Sequence, residues 1–130
     1  MTLSEITMKR SYLSLAAAFA CALSVPALAH GDAKPLYGGV VQLVADLQFE
    51  LVPQAGGAAL YVVDHGKPAD ASAMSGRLVV LNGTRKSEAA LKPAGGNKLE
   101  AAGLLVEKGA KAVATVNRPG AAPLTVRFAP

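Results

Sequence analysis

From Val40 onward, short apolar and β-branched runs alternate with Gly, Pro and Asn. That punctuation is the mark of an all-β chain. Val40–Val44 opens the series behind Gly38-Gly39. In 47–52, Leu47, Phe49 and Leu51 alternate with Gln48 and Glu50, the period of two of a half-buried strand. By that pattern Gln48 and Glu50 face solvent. Further strands are expected at 59–64, 77–81, 84–91, 98–102, 111–116 and 123–128. Asn82-Gly83 is the sharpest turn signal, because both residues tolerate positive φ. Lys67-Pro68 reads as loop, since proline cannot donate to a central ladder. The Ala-rich pieces 88–91 and 101–106 are too short and too close to glycine to hold a helix. Seven or eight short strands without a helix predict two packed antiparallel sheets, an immunoglobulin-like β-sandwich over residues 38–130. Residues 30–37 are expected as an extended N-terminal arm.

Residues 1–29 follow a different grammar. Lys9 and Arg10 precede an uncharged, Ala- and Leu-rich stretch, Pro26 breaks it, and Ala27-Leu28-Ala29 supplies small residues for a peptidase. This is the three-part pattern of an export signal, cut after Ala29. The apolar stretch is shorter than the roughly 20 residues of a membrane-spanning helix, so no membrane insertion is expected after cleavage. Cys21 is read as an ordinary member of the apolar region and not as a lipid-attachment site, because bulky Phe19 sits in the triplet before it. With Cys21 removed, the exported domain has no cysteine and rests on an ordinary core, without a disulfide. About 100 residues suffice for one such domain. The signal implies a periplasmic or secreted protein.

The exported part carries 11 Lys and Arg against 8 Asp and Glu, a net charge of +3. The basic residues are scattered, and only Arg85-Lys86 are adjacent. Nucleic-acid binding requires a cluster with interleaved aromatics, which is missing. Two Tyr, two Phe and no Trp give no aromatic platform for a carbohydrate. No G-x-S-x-G, H-E-x-x-H or phosphate-binding glycine loop is present, so an enzyme is not expected. Asp64 and His65 are neighbours, and neighbours on a strand point to opposite faces, which argues against a Ser-His-Asp set built on them.

The position of the first histidine carries more information. Cleavage after Ala29 makes His30 the first residue, and its α-amine and imidazole can then chelate one metal ion. Asp32 lies two residues on, His65 is the only other histidine, and Asp64 precedes it. Amine, two imidazoles and a carboxylate suit Cu(II) or a similar divalent ion, which favours nitrogen and oxygen ligands. Met74 is the only methionine of the exported part, too few for a thioether Cu(I) site. The same residues have an ordinary reading: Asp64-His65-Gly66-Lys67-Pro68 is good turn chemistry without any metal.

Five stretches also carry a resemblance: His30-Gly31-Asp32, Tyr37-Gly38-Gly39-Val40-Val41, Phe49-Glu50-Leu51-Val52, Leu60-Tyr61-Val62-Val63-Asp64-His65-Gly66-Lys67-Pro68, and 91–100. They resemble small periplasmic proteins found with heavy-metal efflux systems, and the N-terminal extra domain of some periplasmic adaptor subunits of heavy-metal RND pumps. The resemblance implies a metal-homeostasis or efflux accessory whose partner is an envelope efflux-pump adaptor; a monomer is expected. A weaker similarity, in size, sandwich fold and N-terminal His, is to copper-resistance C-type copper carriers, whose Met-rich loop is missing here. The competing expectation is a metal-free periplasmic interaction module without catalytic activity.

Overall fold

The computed structural model describes residues 33–130, and all regular elements among them are β-strands. They are β1 (Val40–Val44), β2 (Leu47–Gln54), β3 (Gly57–Asp64), β4 (Lys67–Pro68), β5 (Ser75–Asn82), β6 (Arg85–Pro93), β7 (Lys98–Ala102), β8 (Lys111–Asn117) and β9 (Leu124–Phe128). The expected export signal, and with it His30 and Asp32, lies outside the described residues.

Every pairing is antiparallel, and the strand order is β1-β2-β3-β7-β6-β5-β8-β9, with β4 added to β3. The register explains the core. Phe49 pairs with Val62 and Leu51 with Leu60, and Leu60 pairs with Leu99 across the next ladder. These side chains therefore share one face, and all are fully buried. Leu78 and Val80 of β5, Ala114 and Val116 of β8, and Val126 of β9 meet them from the other side. Truncating Leu60 to alanine would cost about 2–5 kcal/mol, the range for a fully buried leucine.

The sheet curls into a nearly closed barrel. The β3-β7 side and the β5-β8 side are joined at a corner where Lys92 pairs with Glu100 and Pro93 with Leu99. At the other end of the order, β1 and β9 approach each other without forming a ladder. The strands predicted from periodicity all occur, a residue or two longer or shorter at their ends. Pro68 lies in the two-residue strand β4, on the edge of β3 opposite Val63, where its missing N–H costs no central ladder bond.

Two sequence-based expectations are corrected. The β5-β6 turn is Gly83-Thr84, not Asn82-Gly83, because Asn82 already pairs with Arg85. Gly83 takes positive φ (62°) in the first turn position, as a primed turn requires. Asn82 uses its side chain instead: Nδ2 donates to the Leu105 carbonyl (2.7 Å), and Oδ1 accepts from the Glu107 amide (3.0 Å). The second correction concerns Glu50, expected in solvent and found with no exposed surface.

Candidate functional site

Two tight turns lie side by side at one end of β2 and β3, because Leu47 pairs with both Val44 and Asp64. One is Ala45-Asp46, with φ of 51° and 63°. The other is His65-Gly66, with φ of 48° and 80°, closed by the Asp64–Lys67 pair. Both have the two left-handed residues of a primed hairpin turn. Left-handed backbone costs an L-residue other than glycine about 1–2 kcal/mol. His65 therefore occupies a position that glycine would fill with less strain.

The turn also changes how Asp64 and His65 relate. As successive strand residues they would face apart, but His65 has left the strand. Its ring folds back, and Nδ1 hydrogen-bonds the Asp64 carboxylate oxygen Oδ1. With the proton on Nδ1, the ring presents Nε2 outward with a free lone pair, the arrangement found behind metal-bound histidines. His65 remains highly exposed among the described residues, with 81% of its side-chain surface open. A hollow of about 460 Å³ is lined by Leu43, Ala45, Asp46 and His65. Asp46 was not singled out from the sequence. Only the pairing of β1 with β2 and of β2 with β3 brings its turn beside His65. Among the described residues, no three of His, Cys, Asp and Glu are gathered closely enough to hold a metal.

Among the described residues Glu50 is the one fully buried charged side chain. Phe49 and Leu51 point into the core, so Glu50 points to the outer face of β2. The arm lies over it there. The carboxylate accepts hydrogen bonds from three backbone amides: Leu36 at 2.6 Å, Tyr37 at 2.7 Å and Gly39 at 2.9 Å. Converging amides of this kind form an anion-binding concavity, and charge-assisted bonds to them compensate the loss of water. Gly38, at φ 78°, turns the chain so that the Gly39 amide points back. A Cβ on Gly39 would overlap the Leu51 carbonyl, so only glycine permits this close approach.

The neighbours of Glu50 fix the arm as well. Tyr61 is its cross-strand partner, and the Tyr37 ring stacks on it at 3.8 Å between centroids, 7° from parallel. Asn97 Nδ2 donates to the Tyr37 hydroxyl (3.1 Å) and to the Val62 carbonyl (3.0 Å). Further back along the arm, Gln48 Nε2 donates to the Lys34 carbonyl (3.3 Å). The arm thus runs from Glu50 past Gln48 as it is followed toward the N-terminus. Gln48 pairs with Val63, the residue before Asp64. From Gly39 back to Lys34, the arm runs toward the end of the sheet that carries the two turns.

Comparison with protein-family models, with curated proteins and with solved structures finds no match for this chain. Of the four residues proposed from sequence as ligands, Asp64 and His65 are in direct contact, and His30 and Asp32 lie outside the described residues.

Proposed function

We propose that this protein is an exported accessory of divalent-metal homeostasis or efflux that binds Cu(II) or a similar ion at the His65 turn. In this reading cleavage follows Ala29. The His30 amine and imidazole, His65 Nε2 and the Asp32 carboxylate are the ligands, and Asp64 orients the His65 ring. The observation that carries the reading is the course of the arm. Lys34 lies on Gln48, one strand across from Val63. Three residues, Gly31 to Ala33, separate it from His30, four Cα–Cα steps that span at most about 14 Å when extended. Had the arm run toward the opposite end of β2, a single site holding both histidines would be out of reach. The exposed Nε2 and its carboxylate-held partner nitrogen are the second support.

The test is a Cu(II) titration of exported, processed protein. Loss of affinity in both His30→Ala and His65→Ala is expected, together with weaker binding when residues are left ahead of His30. Unchanged affinity in either alanine variant would exclude the shared site.

The resemblance to heavy-metal efflux proteins belongs to the same proposal, as does the finer architecture, an immunoglobulin-like sandwich. The sandwich is supported by the short corner between β6 and β7, where two residue pairs link the halves. A second reading, a metal-free module that contacts an envelope adaptor, is favoured by a separate observation. The facing edges of β1 and β9 carry an apolar hollow of about 310 Å³ lined by Gln42, Leu81, Lys111 and Phe128. An extended segment of a partner can add to such an edge. Recovery of an adaptor from periplasm by metal-free protein, lost when Leu81 is replaced by Lys, is what this reading expects.

A further inference from the structure

We infer that the hollow at the seam between β1 and β9 binds a small amphiphilic carboxylate, a ligand with one anionic head and a short apolar tail. The inference is separate from the metal reading, since the hollow shares no lining residue with the one at His65. The register places its walls. Leu81 pairs with Lys111, and Val113 pairs with both Val79 and Arg127. Directly paired residues share a face, and Leu78 and Val80 alternate into the core. Leu81, Lys111, Val113 and Arg127 therefore lie together on the outer face. β9 is the last strand of the order, so no further ladder continues that face toward β1. The break leaves the hollow of about 310 Å³, with Leu81, Val113 and Phe128 as apolar walls and Lys111, Arg127 and Gln42 as polar groups.

Charge decides what fits. The same outer face carries two other cations, Arg77 and Lys86, and Glu88 holds both, at 2.8 and 2.9 Å. Lys111 and Arg127 are exposed as well, yet among the described residues neither has a carboxylate within ion-pair distance. No Asp or Glu is among the lining residues, and the Pro130 main-chain oxygen is engaged by the Gly109 amide at 3.1 Å. Apolar walls with a few polar groups are the general form of a small-ligand site, and this hollow lies at the small end of the usual range of about 300–1,000 Å³. Arg127 can take a carboxylate through two parallel N–H bonds, and Lys111 adds a point charge. Leu81, 39% exposed, is covered when an apolar tail enters. The spacing of the strands favours a guest thinner than a peptide. Cα atoms of β1 and β9 come within 8 Å of each other. A strand laid between them needs two ladder spacings, about 9.5 Å. The partner segment of the second reading enters only if the seam opens.

The experiment titrates exported protein with three probes below their micelle-forming concentrations. These are octanoate, octylammonium with the same tail and the opposite charge, and acetate with the head alone. Amide NMR shifts are followed in the unmodified chain, Lys111→Gln, Arg127→Gln and Leu81→Glu. All three side chains are exposed, so the replacements leave the core intact. The inference expects saturable octanoate shifts centred on Leu81, Val113, Phe128 and Ala129, with octylammonium and acetate roughly tenfold weaker. Loss of either cation should weaken octanoate about fivefold, the upper range for an exposed charge pair. Leu81→Glu sets a second carboxylate against the head and should abolish binding. Octylammonium that binds as tightly as octanoate, or shifts scattered over other faces, would mean unspecific apolar adhesion and overturn the inference. Octanoate affinity unchanged in both cation variants overturns it too. So does an extended peptide of alternating valine and glutamate that shifts the β1 and β9 amides where octanoate shifts none, a result that favours the partner segment.

Discussion

Glu50 and Glu88 occupy equivalent positions in two halves of the molecule and meet opposite fates. Each sits in mid-strand with its side chain on the outer face of the sheet. Glu88 stays in water, where Lys86 and Arg77 approach its carboxylate at 2.9 and 2.8 Å. Those bonds hold its pKa below the ordinary value, Lys86 contributing most. Glu50 is buried, and among the described residues it is held by three backbone amides. The β5-β6 face is left as a solvated surface of the kind that adds little to stability. The β2-β3 face is covered by the arm, and it is the face beside the His65 turn. A polar residue on an outer strand face thus means something only once it is known what covers it.

The largest expected break in this contrast comes from Glu50→Gln. It removes charge from at least one amide bond and sets an NH₂ group against backbone N–H donors. Denaturant unfolding should show a loss of about 1.5–3 kcal/mol, the range for hydrogen bonds to a charged group. Removing the Tyr37 ring comes next. Tyr37→Ala loses its stacking on Tyr61 and should cost roughly 1 kcal/mol beyond the area uncovered, with faster exchange at the arm amides as the accompanying sign. His65→Gly should leave stability within about 0.5 kcal/mol of the parent, because relief of left-handed strain offsets the greater freedom of the unfolded chain. In the same variant, metal binding should be lost. The smallest effect is Glu88→Gln, whose unfolding midpoint at pH 7 should lie only slightly below the parent's.

Acid titration sharpens that last case. Glu88 has a depressed pKa when folded, so its ion pairs stabilise above the ordinary glutamate value near 4.3 and fade as pH falls through the folded value. The parent should therefore lose slightly more stability than Glu88→Gln as pH falls below the ordinary glutamate value. A midpoint shift at pH 7 in Glu88→Gln as large as that of Glu50→Gln would erase the distinction between the two halves.

Much of the fold was legible in the sequence, and the exceptions share a cause. Period-two alternation located the strands and the core face of β2, because Leu47, Phe49 and Leu51 could only face inward together. The same alternation misread Glu50, since burial by a segment 11 to 14 residues away leaves no local trace. Asn82-Gly83 announced the hairpin but not its register, because Asn82 is claimed by the Leu105 carbonyl and the Glu107 amide across the fold. At the site, the pairing of Asp64 with His65 was discounted by strand geometry, which does not apply to a residue at positive φ in a turn. The Tyr37-Gly38-Gly39, Phe49-Glu50 and Asn97 stretches read from sequence as turn-and-strand motifs. In space they are one device, the seat of the arm.

The proposed function requires one metal ion shared between an N-terminus at His30 and the His65 turn. Native and denaturing mass spectrometry of exported protein supplied with Cu(II) tests this most directly. The expected result is a chain beginning at His30 that retains one copper natively and loses it in His65→Ala. A chain cut elsewhere, or one that begins at His30 and keeps its copper without His65, would contradict it.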